Sequence, residues 1–251
     1  MKTWRLIKSI TDNGARQMAI DEAILTARIK NKVPNTLRFF TWKPTCVTIG
    51  FFQNLEEEID FIKTRSRGID VVRRYTGGGA VLHEHELTYS LTISEKDVSS
   101  DIVESYKEIC AGIIEALFSL GIKAEFKPIN DIIVGNKKIS GNAQTRKSGV
   151  VLQHGTILLD LDLKKMFSLL KIPDEKIKDK MIKAAKERVT SLKNELGKSV
   201  ANKEIEKALI YGFEKMFNIK TEVGELTPQE LKHAEKLYKE KYTNNKWTNW
   251  R

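Results

Sequence analysis

The 251-residue sequence lacks the features that mark several large protein classes. Its two cysteines, Cys46 and Cys110, stand apart from any CxxC pair, which excludes a disulfide framework as the basis of the fold. No apolar run approaches the length that spans a bilayer, and the opening residues MKTWRLIKSITDNG have no apolar signal-peptide core. We therefore expect a cytoplasmic protein that does not enter a membrane.

Acidic side chains are also the minority among the charged residues. Lysine and arginine number 43 against 33 aspartates and glutamates, which leaves a formal net charge of +10. Such an excess is typical of proteins that meet nucleic acid, an anionic membrane surface, a phosphorylated ligand or an acidic protein. The sequence has no RNA-binding signature, no metal-finger spacing and no helix-turn-helix with a concentrated basic face, so we do not expect a nucleic-acid partner.

The order of strand-like and helical segments predicts the fold class. Strand-like runs such as TLRFFTW (residues 36–42) and ELTYSLTIS (residues 86–94) are interspersed with helical segments, and the chain beyond Asp162 is almost wholly helical in pattern. Strands first and helices later favour an α+β fold with mixed or antiparallel sheets over a doubly wound parallel sheet. We predict a single domain over residues 1–251, in which the helical part from about 198 to 251 could form a small subdomain.

The first chemical signal is a run of three glycines within RRYTGGGAVLH. Arg73 and Arg74 precede the run, Thr76 adds a hydroxyl group, and His83 follows within one predicted strand. The spacing matches neither a P-loop nor GxGxxG, and an isolated glycine triplet is often a tight turn. Two guanidinium groups beside exposed backbone N–H groups favour instead an anion site for phosphate or carboxylate.

A second group of polar residues lies in NDIIVGNKKISGNAQ. Asp131 opens a predicted strand, Lys137 and Lys138 follow a predicted turn, and Gly141 comes three residues after Lys138. A carboxylate could hold Mg²⁺ beside nucleotide phosphates, and a lysine could stabilise the oxygen of a transferring acyl phosphate. Spacing alone assigns neither lysine, because a chain with 43 lysines and arginines places such side chains in hairpins by chance.

Together these stretches resemble the lipoate–protein ligase and octanoyltransferase superfamily, whose fold is related to that of biotin protein ligases. The matching segments are RRYTGGGAVLH, NDIIVGNKKISGNAQ and QHGTILLDLDL, and the similarity extends from MAIDEAIL near the start to KYTNNKWTNW near the end. The resemblance covers nearly the whole chain. It implies a lipoate-ligase-like catalytic domain of the short form, which has no C-terminal accessory domain.

The resemblance implies an ATP-dependent enzyme. Such a ligase joins lipoate to AMP with release of pyrophosphate and then passes the lipoyl group to a lysine of an acceptor domain. ATP, Mg²⁺ and the substrate lipoate are expected on this basis. Lys138 falls at the family's catalytic lysine, which would bridge the lipoyl carbonyl and the phosphate. Asp131 is the expected Mg²⁺ ligand.

The same resemblance assigns the other site residues. The loop from Arg73 to Gly79 is expected to wrap the adenylate, and the HGT strand is expected to form part of the wall of an acyl tunnel. Leu25, Phe39 and Val81 are further candidates for that wall, or ordinary core residues. The expected cofactor-binding residues are Arg73, Arg74, Thr76, Gly77, Gly78, Gly79, Ala80, His83, Asp131, Gly141, His154 and Gly155.

Two other functions stay open. Octanoyltransferases of the superfamily take the acyl group from acyl carrier protein and pass it through a cysteine thioester without ATP. The segment HEHELTYS resembles some of them, because many ligases have an asparagine in place of Thr88. In the similar transferases, however, the cysteine precedes the strand that leads to the lysine, where this chain has EFKPINDIIVGNKK. Cys46 and Cys110 lie in apolar patterns and are predicted to be buried, which favours the ligase. A non-catalytic lipoate-binding module is the other alternative.

The expected partners also follow from the resemblance. They are lipoyl acceptor domains of the 2-oxoacid dehydrogenase E2 or glycine cleavage H protein type, and a small, separately encoded accessory-domain protein could complete the ligase. Acceptor domains of this family are commonly acidic, so a basic helix predicted over DEKIKDKMIKAAKERV could attract them. Its lysines are Lys176, Lys178, Lys180, Lys183 and Lys186.

Overall fold

The computed structural model describes residues 1–169 and 175–250, and only the backbone of Phe61, Glu175, Lys176 and Lys178. Its strands are β1 (Lys2–Asp12), β2 (Thr36–Trp42), β3 (Cys46–Ile49), β4 (Asp70–Arg73), β5 (Val81–His83), β6 (Glu86–Ser94), β7 (Glu125–Lys127), β8 (Asp131–Val134), β9 (Lys137–Lys147), β10 (Val150–Leu158) and β11 (Ile219–Val223). Its helices are α1 (Gly14–Ile29), α2 (Leu55–Glu58), α3 (Phe61–Ser66), α4 (Ile102–Ser119), α5 (Leu163–Leu169), α6 (Glu175–Arg188), α7 (Leu192–Leu196), α8 (Asn202–Phe217), α9 (Pro228–Leu237) and α10 (Asn245–Thr248). Among these described helices, none combines the length and apolarity needed to cross a bilayer.

Within the described residues the strands form two sheets. The large sheet has eight strands in the order β11-β1-β2-β6-β10-β9-β8-β7, and the small sheet has three in the order β4-β3-β5. In the large sheet β1 runs parallel to both of its neighbours, whereas the strands from β2 to β7 pair antiparallel. A mixed sheet with helices packed on its faces confirms the predicted α+β class.

The alternating pattern of β6 separates the two faces of the large sheet. Its apolar side chains Leu87, Tyr89 and Leu91 enter the main hydrophobic core beneath α4 and α8. Glu86 and Thr88 lie on the opposite face, because successive side chains of a strand point to opposite sides, and both are also buried. Buried polar groups need hydrogen-bond partners, so this polar face is where hydrogen-bonded side chains are concentrated.

The segment after Gly197 is joined to the rest of the fold at several points. α8 packs on α4 so closely that a Cβ on Gly212 would lie 2.1 Å from the carbonyl oxygen of Gly112. The buried Arg5 of β1 donates two hydrogen bonds, of 2.8 and 2.6 Å, to the carboxylate of Glu230 in α9. The single domain and its helical subdomain remain predictions, and these contacts link the subdomain to both β1 and α4.

One element of this segment differs from the prediction. The chain beyond Asp162 was expected to be almost wholly helical, but β11 forms an edge strand parallel to β1, from Ile219 opposite Lys2 to Val223 opposite Leu6. The prediction is wrong here because five residues at a sheet edge carry too little alternation to be recognised. Their conformation depends on β1, which lies more than 200 positions earlier in the chain.

Candidate active site

The polar face of the large sheet and the loop after β4 enclose a cavity of about 290 Å³. We call this loop, residues 74–80, the glycine loop. The expected site residues Thr76, Gly77, Arg73 and Asp131 do not line the cavity themselves. Those that line it are Arg74, Gly78, Gly79, Ala80, His83, Lys138, Gly141, His154 and Gly155.

Arg74 shapes the glycine loop from inside. Its guanidinium donates to the carbonyl oxygens of Gly77 (2.8 Å) and Gly79 (3.0 Å), and to the carbonyl (3.1 Å) and hydroxyl (2.7 Å) oxygens of Thr48. Burial lowers the pKa of Arg74 to about 10, so the group stays charged at neutral pH. Gly78 has a φ of 93°, a conformation that favours glycine. A Cβ on Gly50 would lie 1.9 Å from the Gly78 carbonyl oxygen, so these glycines also allow two backbone segments to meet.

Arg73 is fully buried, with 0% of its surface exposed. Its guanidinium donates to the carbonyl oxygens of Gly50 (3.0 Å), Phe51 (3.1 Å), Gln53 (2.7 Å) and Thr248 (2.9 Å). These bonds join the segment after β3 to the C-terminal helix α10. The donors of Arg73 are therefore directed at protein carbonyls and away from the cavity.

A buried chain of three residues fixes the orientation of His154. Thr76 Oγ1 and His154 Nε2 are 2.7 Å apart, and His154 Nδ1 lies 3.1 Å from Asp21 Oδ2. Burial lowers the pKa of His154, although Asp21 acts in the opposite direction. Burial opposes ionisation of Asp21, but Arg38 and His154 lower its pKa overall. The three residues resemble a Ser-His-Asp arrangement in their geometry, yet Thr76 is 0% exposed and does not line the cavity, so it is not placed to attack an acyl group.

A second buried network surrounds Glu86. His83 Nδ1 lies 2.5 Å from Glu86 Oε1, and the Thr88 hydroxyl donates to the same oxygen at 2.8 Å. The other ring nitrogen of His83 is 2.7 Å from the hydroxyl of Thr48, and the Trp42 ring stacks on His83 with centroids 4.0 Å apart. The second carboxylate oxygen, Glu86 Oε2, has no hydrogen-bond partner within the described part of the chain.

Lys138 lines the cavity from β9. Its side chain is 39% exposed, and its Nζ forms an ion pair of 2.6 Å with Asp131 Oδ1. Gly141 leaves room for this amine, since a Cβ there would lie 2.7 Å from Lys138 Nζ. Lys137 is exposed and does not line the cavity, as expected for adjacent residues on a strand.

One part of the cavity wall is apolar. Val81, Leu82, Leu158, Leu161 and Met166 line it. Of the three candidates for an acyl wall, Val81 is therefore placed at the cavity. Leu25 and Phe39 lie instead in hydrophobic clusters of the core.

Neither cysteine reaches the cavity. Cys46 and Cys110 are both 0% exposed, and each belongs to a hydrophobic cluster. Burial raises the pKa of Cys46 well above its usual value and that of Cys110 to about 12. A nucleophilic thiol needs an accessible thiolate, so the prediction that both are buried core residues is confirmed.

Several cavity residues were not expected from the sequence. Trp42, Glu86, Thr88, Asn130 and Thr156 line the cavity, and all but Asn130 lie on neighbouring strands of the large sheet. The alternation of polar and apolar residues in ELTYSLTIS carried a usable signal. Polar residues at every second position of a strand that is otherwise fully buried indicate a polar cavity on that face.

The chain is similar to proteins of known class. A family model described as the lipoyl protein ligase A/B catalytic domain matches residues 13–214. Octanoyltransferase LipM of Clostridioides difficile (strain 630) is 38% identical to this chain over 268 residues. Octanoyltransferase LipM of Bacillus subtilis (strain 168) is 35% identical over 271 residues. Each match covers 98% of this chain and 98% of the relative. These matches confirm the resemblance to the superfamily.

Solved structures extend the comparison. A bi-partite lipoate protein ligase from Thermoplasma acidophilum has a TM-score of 0.90 at 31% identity, with 100% of this chain and 98% of that chain covered. A lipoate-protein ligase A bound with ATP has a TM-score of 0.85 at 30% identity, with 99% of each chain covered. A biotin protein ligase from Aquifex aeolicus has a TM-score of 0.51 at 15% identity and 85% and 70% coverage, which shows a common fold alone.

The sequence relatives correct the expected chemistry. Octanoyltransferases take their acyl group from acyl carrier protein without ATP, and the two sequence relatives, which are 38% and 35% identical to this chain, are octanoyltransferases. The expectation of an ATP-dependent ligase that uses ATP, Mg²⁺ and lipoate is therefore wrong, and the adenylate roles of Arg73 to Gly79 and the Mg²⁺ role of Asp131 are withdrawn with it. The error arose because ligases and transferases share the glycine loop and the lysine strand.

Asp131 lies beside Lys138. Its carboxylate is paired with the ammonium group of Lys138. Within residues 1–169 and 175–250, no group of three or more histidine, cysteine, aspartate or glutamate side chains is arranged to hold a metal ion.

Proposed function

Because this chain belongs to the lipoyl protein ligase A/B catalytic domain family, we propose that it is an octanoyltransferase that moves an octanoyl group from the thioester of an acyl carrier protein to a lysine of a lipoyl domain. The observation that carries the proposal is the similarity to octanoyltransferases over 98% of both chains. The cavity supports it, because an apolar wall and a lysine ammonium group line the same space.

The apolar wall suits a straight acyl chain. Val81, Leu82, Leu158, Leu161 and Met166 offer methyl and methylene groups without a competing charge. Burial of one methylene group contributes about 0.8 kcal/mol, so the six methylenes of an octanoyl chain would contribute roughly 5 kcal/mol. This gain would hold the reacting carbonyl in the polar part of the cavity.

Lys138 is the proposed catalytic residue. In acyl transfer the carbonyl oxygen of the thioester gains negative charge as the acceptor nitrogen attacks, and an ammonium group directed at that oxygen stabilises the transition state. The ion pair with Asp131 holds the Lys138 side chain near Gly141, whose missing side chain leaves the amine room. The Asp131 carboxylate is thus a positioning group for Lys138.

The placement of the cysteines favours direct transfer. The two thiols of the sequence, Cys46 and Cys110, lie in hydrophobic clusters, and burial raises the pKa of both. The acceptor lysine would then attack the carrier thioester itself, with donor and acceptor bound together. This step differs from the cysteine thioester expected for octanoyltransferases of the superfamily.

The proposed acceptors are lipoyl domains of the 2-oxoacid dehydrogenase E2 or glycine cleavage H protein type. The similar Thermoplasma acidophilum ligase is described together with its E2 lipoyl domain, which supports this class of partner. The separately encoded accessory protein belonged to the adenylation mechanism, and thioester transfer does not require it.

A transfer assay without ATP tests the proposed function. Purified protein is incubated with octanoyl acyl carrier protein and an unmodified lipoyl domain, and the acceptor is followed by intact mass. We expect the acceptor to gain one octanoyl group without ATP. A parallel reaction with free octanoate, ATP and Mg²⁺ is expected to leave the acceptor unchanged. Modification in the ATP reaction alone would overturn the proposal.

A further inference from the structure

A second cavity adjoins the first at Glu86. It measures about 310 Å³, and Leu159, Val200 and Asn202 contribute to its far side. Glu84 and Asp160 add carboxylates to its wall, but each is paired with a lysine, so Glu86 is the carboxylate of the lining that is left to meet a cationic side chain. The residues that line both cavities are Trp42, Glu84, His85, Glu86 and Asp160.

Glu86 differs from the two other shared carboxylates in its hydrogen bonds. Glu84 pairs with Lys165 and Thr45, and Asp160 pairs with Lys193 at 2.7 Å. Glu86 is 3% exposed, its Oε1 is held by His83 and Thr88, and its Oε2 has no partner within the described residues. A buried carboxylate oxygen without a donor costs free energy, which a donor group on a substrate would recover.

The strand register relates Glu86 to Lys138. Gly141 of β9, Thr156 of β10 and Thr88 of β6 are directly paired, so they form one row across the sheet. Lys138 Nζ lies above Gly141 at one end of the row, and Glu86 is bonded to Thr88 at the other. Neighbouring strands are about 4.8 Å apart, so the two ends are roughly 10 Å apart.

That separation fits an acyl transfer between the two groups. The path from Lys138 to Glu86 would consist of a hydrogen bond from Lys138 to the carbonyl oxygen, the C=O bond, an attack distance of about 3 Å and a hydrogen bond from the nitrogen to Glu86. Together these steps span a length comparable to the separation of the two groups. The carbonyl would face Lys138, and the attacking nitrogen would lie on the side of Glu86. The second cavity would lead the acceptor lysine to this position.

We propose that Glu86 receives the acceptor amine where the two cavities meet and takes the proton that the amine loses on acylation. This inference rests on the proposed octanoyl transfer. The acceptor ammonium group first loses one proton to water. Its neutral nitrogen then attacks the thioester carbon, a C–N bond forms, and the π electrons of the carbonyl move to the oxygen that faces Lys138. The nitrogen, now positively charged, gives one proton to Glu86. The electron pair on that oxygen then re-forms the C=O bond while the C–S bond breaks with its own pair on sulfur. The sulfur takes the proton from Glu86, which yields the amide and the free carrier thiol.

The test compares Glu86→Gln with the wild-type protein. Glutamine keeps the size of the side chain and an oxygen for the Thr88 hydroxyl, but it is not a base. We expect the single-turnover rate of octanoyl transfer from acyl carrier protein to the lipoyl domain to fall about a hundredfold, the usual range for loss of a general base. The matched control is Glu104→Gln, at an exposed glutamate of α4 that lines neither cavity, and its rate should stay within about threefold of wild type.

Hydroxylamine separates a lost base from a damaged fold. Its nitrogen is much less basic than that of lysine, so its adduct loses a proton to water readily. We expect Glu86→Gln to form octanoyl hydroxamate from the carrier thioester at close to the wild-type rate. An equal loss with both acceptors would overturn the inference, because it would indicate a structural role for Glu86.

If Glu86→Gln does not fold, Glu86→Asp, which has a shorter side chain, also tests whether Glu86 acts as a base. Glu86→Asp keeps the base but withdraws it from the nitrogen, so transfer to the lipoyl domain should fall about tenfold while hydroxamate formation is retained. Wild-type rates for either Glu86 variant with the lipoyl domain would overturn the inference and leave the proposed function intact. A wild-type protein that transfers no octanoyl group to either acceptor would overturn both.

Discussion

Two cationic regions lie in or next to the cavity, at the glycine loop and at β9, and we call them its two ends. They differ in how far the protein itself uses their hydrogen bonds. At the glycine-loop end, Arg73 and Arg74 are 0% and 4% exposed and donate to a series of protein oxygens. At the β9 end, Lys138 is 39% exposed and pairs with one carboxylate, that of Asp131. The sequence marks both ends in the same way, by positive charge close to glycine. The comparison indicates that the buried guanidinium groups stabilise the fold, while the ammonium group is available to a substrate.

The largest effect is expected at the buried end. Arg73→Leu removes donors from the carbonyl oxygens of Gly50, Gln53 and Thr248, and each buried acceptor left without a donor costs about 1–3 kcal/mol. We expect the free energy of unfolding to fall by roughly 4 kcal/mol, measured by urea denaturation. Arg65→Leu, at an exposed arginine of α3, should change it by less than about 0.5 kcal/mol. Equal stability of the two variants would contradict the structural role of Arg73.

The next largest effect is expected at Lys138, where the rate of octanoyl transfer should fall and the stability of the fold should not. Lys138→Ala removes the charge directed at the reacting oxygen, which should raise the barrier by about 3 kcal/mol and slow octanoyl transfer roughly a hundredfold. Its urea midpoint should stay close to that of wild type, because the amine is partly exposed and surface ion pairs contribute little.

Lys137→Ala is the matched control, because it tests which of the two adjacent lysines of β9 faces the cavity. Lys137 precedes Lys138 on β9 but is exposed and outside the cavity lining, so its replacement should change the rate by less than about twofold. Similar losses for both alanine variants in the single-turnover assay would contradict the assignment of Lys138. A large loss of stability in Lys138→Ala would remove the contrast with Arg73.

The contrast between the two ends also shows where sequence reasoning reached its limit. Local signals predicted local structure well: the strand-like runs TLRFFTW and ELTYSLTIS form β2 (Thr36–Trp42) and β6 (Glu86–Ser94). The placement of Lys138 at the cavity followed from the family resemblance and the alternation of side chains on a strand. The partners of Arg73 could not be predicted, because they come from the segment after β3 and from α10, which lie 20 or more residues away in sequence.

Glu86 was missed for a similar reason. Its significance depends on the pairing of β6 with β10 and of β10 with β9, which brings Thr88 and Gly141 into one row. No spacing within one segment of the sequence encodes that row. The activity itself was predicted wrongly because the motif segments are common to ligases and transferases, and the correction came from sequence relatives, 38% and 35% identical, that are octanoyltransferases.

A smaller effect is expected when the space around Lys138 is reduced. A Cβ on Gly141 would lie 2.6 Å from Lys138 Cε and 2.7 Å from its Nζ, so Gly141→Ala must displace the end of this flexible side chain. We expect a rate loss of about tenfold with little change in stability, since a misplacement near 1 Å weakens an electrostatic contact without removing it. Single-turnover kinetics and urea denaturation measure the two quantities. An unchanged rate would indicate that the position of the amine is not critical.

The basic helix α6 should contribute a severalfold effect on acceptor binding. It leads to Val189, which lines the cavity, and the N–H of Thr190 donates to the carbonyl oxygen of Lys138 at 2.8 Å. Long-range attraction of an acidic acceptor is screened over about 8–10 Å at physiological ionic strength. Replacement of the exposed Lys180, Lys183 and Lys186 by glutamine should therefore raise the acceptor KM severalfold at low salt and less at high salt. The side chains of Lys176 and Lys178 lie outside the described residues.

A matched set of lysines elsewhere on the surface controls for net charge alone. The acceptor KM of the control variant should stay at the wild-type value at every salt concentration, and the KM for octanoyl acyl carrier protein should be measured in parallel. Equal responses of the two variants would mean that overall charge, and not α6, attracts the acceptor. The control replaces by glutamine three exposed lysines near the C-terminus, Lys232, Lys236 and Lys239.

The smallest effect on rate is expected from the cysteines, which belong to neither end of the cavity. Cys46→Ala with Cys110→Ala removes both thiols of the chain, and both lie in hydrophobic clusters. If the acyl group passes directly to the acceptor, the double variant should keep the transfer rate within about twofold, although its free energy of unfolding should fall by about 1–2 kcal/mol. Rates are therefore compared at a temperature where both proteins are folded. Incubation with octanoyl acyl carrier protein alone should leave the mass of the wild-type enzyme unchanged. A stable octanoyl adduct on either cysteine, or loss of transfer in the folded double variant, would show that a buried thiol becomes accessible and that the acyl group passes through it.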